Sequence, residues 1–385
     1  MDEFIYIDNS ATSFPKPQEV HDFAYEFYRD KGVNPGRASF DLSQEVENMV
    51  LETRTVLMQF FNGDGKPERL VFTYNASDSL NMIIQGILQE GDHAVSTNME
   101  HNSVLRPLYV LSQKSGIEVD YVPCDSSGYV DPDDIKAKIK NNTKLVIVNH
   151  ASNVLGTVQP VGEIGKICRE RSVTFAIDAA QTAGMIPINM ERDSIDVVAF
   201  TGHKSLYAPA GIGGLYVRDG IEIESIRFGG TGVKSAVRTH LEEYPFRLEC
   251  GTLNVSGVAG LYAGQKFIRS VGIDNIYEHE MKLLKMLIDG LRDVPGVILY
   301  CPDSLEARAP VLSLNVRGYT AGDVGTFLDV DFNIGVRTGL QCAPLVHETI
   351  GTVPEGTVRF SIGFFNTEEH IRKAIDAVKE LAARK

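Results

Sequence analysis

Short apolar runs and amphipathic segments alternate through the middle of the chain. Runs rich in β-branched or aromatic residues predict seven strands, at 70–74, 93–97, 119–124, 144–149, 173–177, 196–200 and 214–217. Amphipathic segments between them predict helices at 78–89, 104–114, 132–140 and 161–171. The predicted strands are apolar along their whole length, which is typical of a mostly parallel sheet with helices on both faces. The pattern therefore predicts an α/β domain built on a seven-stranded, mostly parallel sheet.

The pattern changes on either side of this alternating region. Residues 1–14 predict an extended arm, and 18–30 and 41–61 predict two helices that open the large domain. After residue 254, two long helical stretches at 255–271 and 273–293 precede strands at 297–301, 310–316 and 357–362, with helices near 321–328 and from 368 onward. Strands and helices in this order predict a smaller α+β domain. We therefore divide the chain into an arm (1–14), a large domain (15–255) and a small C-terminal domain (256–385).

Composition excludes several classes of partner. The 385 residues carry a formal net charge of −14, which argues against nucleic acid or an anionic membrane as the main partner. The chain has no apolar run of membrane-spanning length, and its first residues lack the pattern of a signal peptide, so we expect a cytoplasmic protein. The five cysteines form no CxxC pair, so we expect free thiols and no metal site.

Two charged residues follow predicted strands. Lys204 comes after the strand at 196–200, and Asp178 ends the strand at 173–177. Taken singly, they would be interpreted as a surface lysine and a helix cap. Together they match the needs of pyridoxal phosphate, because its aldehyde forms a Schiff base with a lysine and its ring nitrogen requires an acid.

Other strand ends carry polar groups that such a cofactor needs. Asn75-Ala76-Ser77-Asp78 opens a helix after a strand, and Thr201 and His203 flank Lys204, so these groups could bind a phosphate. His101 could stack on a planar ring or cap a helix. Asn153 could bind a phenolic oxygen or a substrate carboxylate, or could simply form a turn.

Five motifs in order resemble the class V aminotransferase family of fold-type I pyridoxal-phosphate enzymes. They are Tyr6-Ile7-Asp8-Asn9-Ser10-Ala11-Thr12, Glu100-His101-Asn102, Ser152-Asn153-Val154-Leu155-Gly156, Asp178-Ala179-Ala180-Gln181 and Thr201-Gly202-His203-Lys204. The resemblance implies that Lys204 bonds to the cofactor's aldehyde and that Asp178 pairs with its ring nitrogen. It assigns ring contacts to His101, Asn153 and Gln181, the phosphate to Ala76, Ser77, Thr201 and His203, and substrate contacts to Ala11, Asn153 and Arg359.

The same resemblance predicts a homodimer. Glu249-Cys250-Gly251-Thr252 matches a family motif whose threonine reaches the phosphate bound by the neighbouring subunit. Thr252 is therefore expected to complete the partner's site. Cys250 departs from the family's more frequent alanine, and we interpret it as a small-residue substitution.

The segment 335–344 points to the reaction. Its Arg337-Thr338-Gly339-Leu340-Gln341-Cys342-Ala343 resembles the short active-site loop of group II cysteine desulfurases, which serve sulfur mobilisation and iron–sulfur cluster assembly. The resemblance implies that Cys342 accepts sulfur from L-cysteine as a persulfide, releasing L-alanine, and that a protein could receive the sulfur. A buried small residue is the alternative for Cys342. Arg359, inside an apolar strand, predicts either a substrate-carboxylate site or a buried salt bridge.

Two features leave the reaction open at this stage. Leu340-Gln341 replaces histidines of the familiar group II loop, so proton handling or acceptor choice could differ. His347 could act near the loop, although we interpret it as a helix-surface residue. Selenocysteine lyase activity, another carbon–sulfur lyase, a class V transaminase and a non-enzymatic sulfur-relay scaffold are the alternatives.

Overall fold

The N-terminal segment leads from a short strand into two helices. The structure is a computed structural model that describes residues 4–36, 40–301 and 304–384. Its first elements are β1 (Ile5–Tyr6), α1 (Gln18–Lys31) and α2 (Asp41–Phe60).

A seven-stranded sheet forms the centre of the large domain. Its strands are β2 (Leu70–Thr73), β3 (His93–Thr97), β4 (Glu118–Val122), β5 (Thr143–Asn149), β6 (Thr174–Asp178), β7 (Val197–Thr201) and β8 (Gly213–Val217), in the order β2-β8-β7-β6-β5-β3-β4. Strand β8 runs antiparallel to both of its neighbours, whereas the remaining pairs are parallel. This confirms the predicted α/β class and the mostly parallel sheet.

Helices cover both faces of this sheet. Alternate residues of a strand point to opposite sides, so a strand that is apolar throughout needs an apolar cover on each face. The crossover helices are α3 (Ala76–Ile87), α4 (Asn102–Ser115), α5 (Pro132–Lys138) and α6 (Val161–Glu170). Val146, Phe175 and Val198 belong to one apolar cluster, and Leu145, Ala176 and Val197 to another. The strands are therefore buried from both sides, as their continuous apolar runs require.

The C-terminal part contains a separate antiparallel sheet and its own core. Its elements are α7 (Val255–Val271), α8 (Ile273–Leu291), β9 (Val297–Tyr300), β10 (Val311–Val316), α9 (Ala321–Phe332), β11 (Ile334–Gly335), β12 (Arg337–Gly339), α10 (Pro344–Thr349), β13 (Thr357–Ser361) and α11 (Glu368–Ala383). The sheet order is β12-β13-β10-β9, and β1 pairs with β11.

Two contacts relate the arm and α7 to these units. Ile5 and Ile7 of the arm are buried in the apolar cluster of the C-terminal part. Helix α7 packs against α1 and α2, while α8 packs against α11. The boundary at residue 255 stays a prediction. Among the described residues, no helix is both long and apolar enough to cross a membrane.

Candidate active site

A cavity of about 310 Å³ lies at the carboxyl ends of β5, β6 and β7 and reaches the C-terminal part. Parallel α/β sheets bind ligands at this edge. Every site residue predicted from the sequence except Thr252 lines it: Ala11, Ala76, Ser77, His101, Asn153, Asp178, Gln181, Thr201, His203, Lys204, Cys342 and Arg359. Thr252 is exposed and lies outside the lining of this cavity.

The amino end of α3 supplies hydrogen-bond donors to one end of the cavity. The first N–H groups of a helix have no acceptor within the helix. The Asn75 side chain accepts the N–H of Asp78 at 3.0 Å, and Ala76 and Ser77, the first two residues of α3, line the cavity. Ser77 Oγ lies 2.6 Å from Ser103 Oγ, and Thr201 Oγ1 is buried with no partner in the described part of the chain. This donor set suits an anion such as a phosphate.

Lys204 and Asp178 are delivered to the cavity by neighbouring strands. Asp178 closes β6 beside Ala199 of β7, and only 5% of it is exposed. Burial raises the pKa of Asp178, although the N–H of Ala180, 2.9 Å from Oδ1, and the charge of Lys204 oppose this. Burial also lowers the pKa of Lys204 to about 8. Because the neutral amine is the nucleophile, this pKa makes Lys204 reactive near neutral pH.

His101 caps a helix and faces the cavity at the same time. Its Nδ1 accepts the N–H of Ser103 at 3.1 Å, which leaves the proton of the neutral ring on Nε2. Burial and the nearby charge of Lys204 lower the pKa of His101 to about 4. The ring therefore stays neutral at physiological pH. The capping interpretation is confirmed, and stacking on a cofactor stays a prediction.

The N-terminal arm and Lys16, just after it, form hydrogen bonds with the backbone around Lys204. The carbonyl of His203 accepts from Ser13 N at 3.1 Å, Thr12 Oγ1 at 2.9 Å and Lys16 Nζ at 2.9 Å, and Ser13 Oγ donates to the carbonyl of Lys204 at 3.0 Å. Burial lowers the pKa of Lys16 to about 8. These contacts were missed from the sequence, because bonds to main-chain carbonyls require no particular residue in the bound segment.

Arg359 forms the buried salt bridge that the sequence left as one of two alternatives, and its contact with a substrate carboxylate stays a prediction. It lies on β13 opposite Arg337 of β12, and only 3% of it is exposed. Its Nη2 pairs with Asp8 Oδ1 at 2.5 Å, and its Nη1 donates to the carbonyl of Asn153 at 3.1 Å. The salt bridge is therefore present, while the guanidinium still contributes to the cavity wall.

Cys342 is exposed, so the alternative of a buried small residue is wrong. Its φ is +59° and that of Gln341 is +41°, a left-handed conformation that non-glycine residues seldom adopt. Asn102 N donates to the Cys342 carbonyl, and Asn153 Nδ2 donates to the Gln341 carbonyl, both at 2.7 Å. The amide donor of Asn153 is thus occupied by the loop.

His347 is not a helix-surface residue. It lies on the short helix α10 with none of its surface exposed, because the ring points inward and contacts Gln341 and Thr352. Arg337 and Gln341 also line the cavity and were not predicted as site residues. Both residues lie in the loop assigned to Cys342 from the sequence, and this position could have identified them as site residues.

Comparisons with known proteins agree with this geometry. The family model for class-V aminotransferases matches residues 5–373. A probable cysteine desulfurase of Pyrococcus abyssi is 36% identical, with 98% of this chain and 94% of the relative covered. A cysteine desulfurase of Haloferax volcanii is 31% identical, with 98% of this chain and 90% of the relative covered.

Solved structures give the same grouping. The apo structure of a cysteine desulfurase from Thermococcus onnurineus NA1 superposes with a TM-score of 0.92 at 36% identity, covering 99% of this chain and 95% of the other. The cysteine desulfurase CsdA of Escherichia coli gives 0.88 at 26% identity, covering 99% and 95%. The chain belongs to the class-V aminotransferase family.

Proposed function

We propose that this protein is a pyridoxal-phosphate-dependent cysteine desulfurase that converts L-cysteine to L-alanine and leaves the sulfur on Cys342 as a persulfide. The observation that carries the proposal is the exposed Cys342 thiol on the wall of the same cavity as Lys204 and Asp178. A transaminase needs the lysine and the acid but no cysteine. The cysteine desulfurases among the similar proteins support the same choice.

The residues of the cavity fit pyridoxal phosphate. Thr201 Oγ1 and Asn153 Oδ1 are buried polar atoms without a partner in the described residues, as expected where a ligand supplies one. Ala76, Ser77, Thr201 and His203 would bind the phosphate, and Asp178 would hold the ring nitrogen protonated. His101 would lie against the ring, with Asn153 and Gln181 at its substituents. When bound, the cofactor withdraws electrons from the amino acid, so that the bond between Cβ and sulfur can break.

The protein's own groups then have distinct tasks. Arg359 binds the substrate carboxylate, with Ala11 and Asn153 beside it. Lys204, with its pKa lowered to about 8, takes the proton from Cα and returns one to the product. The Cys342 thiolate attacks the substrate sulfur, so an S–S bond forms as the C–S bond breaks. The electrons of the broken bond end on Cβ, which a proton converts to the methyl group of alanine.

Two further parts of the proposal concern partners. Thr252 lies outside the cavity of its own chain, which suits a residue that completes the site of a second copy in a homodimer. The exposure of Cys342 suits transfer of its sulfur to a protein acceptor. We place the protein in the cytoplasm, where reduced thiols persist.

The test compares cysteine variants after reconstitution with pyridoxal phosphate. With L-cysteine and a reductant, we expect the parent and Cys250→Ala to form alanine and sulfide at similar rates, whereas Cys342→Ala forms little of either. Mass spectrometry should find one added sulfur atom on Cys342. Lys204→Ala controls for cofactor-dependent turnover.

Three results would contradict the proposal. Sulfide production by Cys342→Ala at the parent rate would remove the persulfide role. Keto acid formation from amino donors, independent of Cys342, would indicate a transaminase, and much faster turnover of selenocysteine than of cysteine would indicate a selenocysteine lyase.

A further inference from the structure

A buried polar network lies directly beneath the Cys342 loop. Gln341 is 5% exposed, and its side chain points into the protein instead of the cavity entrance. Its Nε2 donates to the carbonyl of Thr357 at 2.9 Å, and its Oε1 lies 2.8 Å from His347 Nε2 and 3.3 Å from Thr357 Oγ1. Gln341 is therefore bound both to β13, the strand of Arg359, and to helix α10.

The contacts of His347 fix its proton. Gln341 Oε1 can only accept a hydrogen bond, so the proton of the ring is on Nε2. Nδ1 then accepts from Thr352 Oγ1 at 2.7 Å, and the N–H of Thr352 donates to the carbonyl of His347 at 2.9 Å. The ring is fully buried, and this burial lowers its pKa to about 4. His347 is thus a neutral donor with a single orientation.

This network supports a conformation that the loop would not adopt unaided. Two consecutive non-glycine residues, Gln341 and Cys342, have positive φ, and such residues persist only where surrounding contacts hold them. Asn153 Nδ2 and the N–H of Asn102 bind the two loop carbonyls. The Gln341 side chain anchors the loop to β13 and α10, and His347 orients that side chain.

We propose that His347, acting through Gln341, is the positioning residue that holds the Cys342 thiol at the cavity for sulfur transfer. The proposal rests on the proposed desulfurase function, because it assumes that Cys342 receives the sulfur. It also gives Gln341 a task. A histidine at this position could transfer protons, whereas the Gln341 side chain holds the loop in place through its buried hydrogen bonds.

The experiment uses the holoenzyme and three substitutions on α10. His347→Leu removes the donor, His347→Gln keeps an N–H within reach of Gln341, and Glu348→Ala changes an exposed neighbour as the control. We expect His347→Leu to slow persulfide formation on Cys342 in a single turnover by about tenfold or more, since misplacement of a reacting group by about 1 Å can cost a hundredfold. The KM for L-cysteine should stay within about twofold, because Arg359 is unchanged. His347→Gln should recover most of the rate.

A second readout does not depend on turnover. Hydrogen exchange of the backbone amides at 339–343 should accelerate in His347→Leu and remain at the parent rate in His347→Gln and Glu348→Ala. If His347→Leu fails to bind cofactor, Gln341→Met, which keeps the side-chain volume, makes the same comparison. Persulfide formation within twofold of the parent together with unchanged exchange would overturn the proposal.

The double variants separate this proposal from the proposed function. In a Cys342→Ala background, His347→Leu should produce no further loss of sulfide formation if His347 acts only through Cys342. If Cys342→Ala alone keeps the parent rate, the proposed persulfide role of Cys342 fails, while the exchange measurement still decides whether His347 holds the loop. A further loss in the double variant would show that His347 acts elsewhere and would contradict the positioning role.

Discussion

Lys204 and Cys342 line the same cavity, yet the protein holds them in different ways. Lys204 follows a buried strand, and the loop behind it packs so tightly that a Cβ on Gly184 or Gly264 would lie 2.1 Å from the carbonyl oxygen of Ser205 or Leu206, respectively. Cys342 is an exposed residue in a loop with left-handed backbone angles, which is held by hydrogen bonds to side chains and to one backbone amide. Close main-chain packing, reinforced by the hydrogen bonds from the N-terminal segment, therefore fixes the lysine, whereas the thiol depends on hydrogen bonds.

The difference suits the two tasks under the proposed function. A lysine that bonds to one cofactor in one orientation gains from a rigid backbone, because positioning is then established before binding. A thiol that accepts sulfur inside the cavity and transfers it to an acceptor outside must be accessible to the substrate and to the acceptor. Hydrogen bonds can break and reform during such a cycle at lower cost than close packing can be undone.

The largest expected effect comes from disturbing the packing behind Lys204. Gly184 has a φ of +100°, and a Cβ there would lie 2.1 Å from the carbonyl oxygen of Ser205. Gly184→Ala should therefore lower the free energy of unfolding by about 3 kcal/mol or more, through overpacking and backbone strain together. Urea unfolding of the apoprotein measures this change, and cofactor binding should weaken with it.

The matched control lies on the Cys342 side. Gly339 has a φ of +94°, but a Cβ there would have no atom within 4 Å. Gly339→Ala should thus cost only the strain of a left-handed alanine, about 1 kcal/mol. Equal losses of unfolding free energy in Gly184→Ala and Gly339→Ala would contradict the difference proposed between the tightly packed surroundings of Lys204 and the open surroundings of the Cys342 loop.

The fold and most of the cavity could be predicted because their signals are local. A continuous apolar run followed by a polar or small residue marks a strand end, and parallel strands bring those ends to one edge of the sheet. Asp178 and Lys204 were found in this way. Cys342 and Arg359 were assigned through family resemblance and the unusual places of a loop cysteine and a strand arginine.

The parts missed depend on contacts that the sequence does not encode locally. His347 lies in a short helix whose pattern gives no sign of which side faces inward, so its burial against Gln341 followed only from the tertiary structure. Lys16 resembled an ordinary charged residue beside a proline, but its ammonium bonds to the carbonyl of His203. The sequence offered a buried salt bridge for Arg359 but not its partner, because Asp8 lies 351 positions away along the chain.

The next effect tests the substrate site on the Cys342 wall. Arg359→Lys keeps the charge near Asp8 but removes the paired donors of the guanidinium, so the KM for L-cysteine should rise about tenfold to thirtyfold with little change in kcat. Inhibition by cysteamine, which lacks the carboxylate, should change by less than about threefold if only that contact is lost. Arg317→Lys, at an exposed position directly after β10 and outside the cavity lining, is the control and should leave KM near the parent value. A fall in kcat without a rise in KM would assign Arg359 to the structure alone.

The smallest effect concerns the pH at which Lys204 captures the cofactor. Its pKa is lowered to about 8, chiefly by burial, while the charge of Asp178 opposes the shift. A protonated amine is not nucleophilic, so the rate at which the apoprotein bonds to pyridoxal phosphate should fall about tenfold for each pH unit below 8 and level off above it. Visible absorbance follows this rate between pH 6.5 and 9, and Lys204→Ala should give no covalent signal.

Changing the neighbours of Lys204 should move this midpoint in a direction set by charge. Asp178→Asn removes the carboxylate that favours the ammonium, so the pKa of Lys204 should fall. The rate of cofactor bonding at pH 7 should then be a larger fraction of the maximal rate reached at high pH. Lys16→Met is the control, because Lys16 bonds to the backbone of His203 and is not among the charges that shift the pKa of Lys204. A midpoint that rises in Asp178→Asn would mean that the carboxylate does not stabilise the lysine's charge. A midpoint that moves equally in Lys16→Met would mean that Lys16, in addition to its bond with the backbone of His203, influences the charge of Lys204.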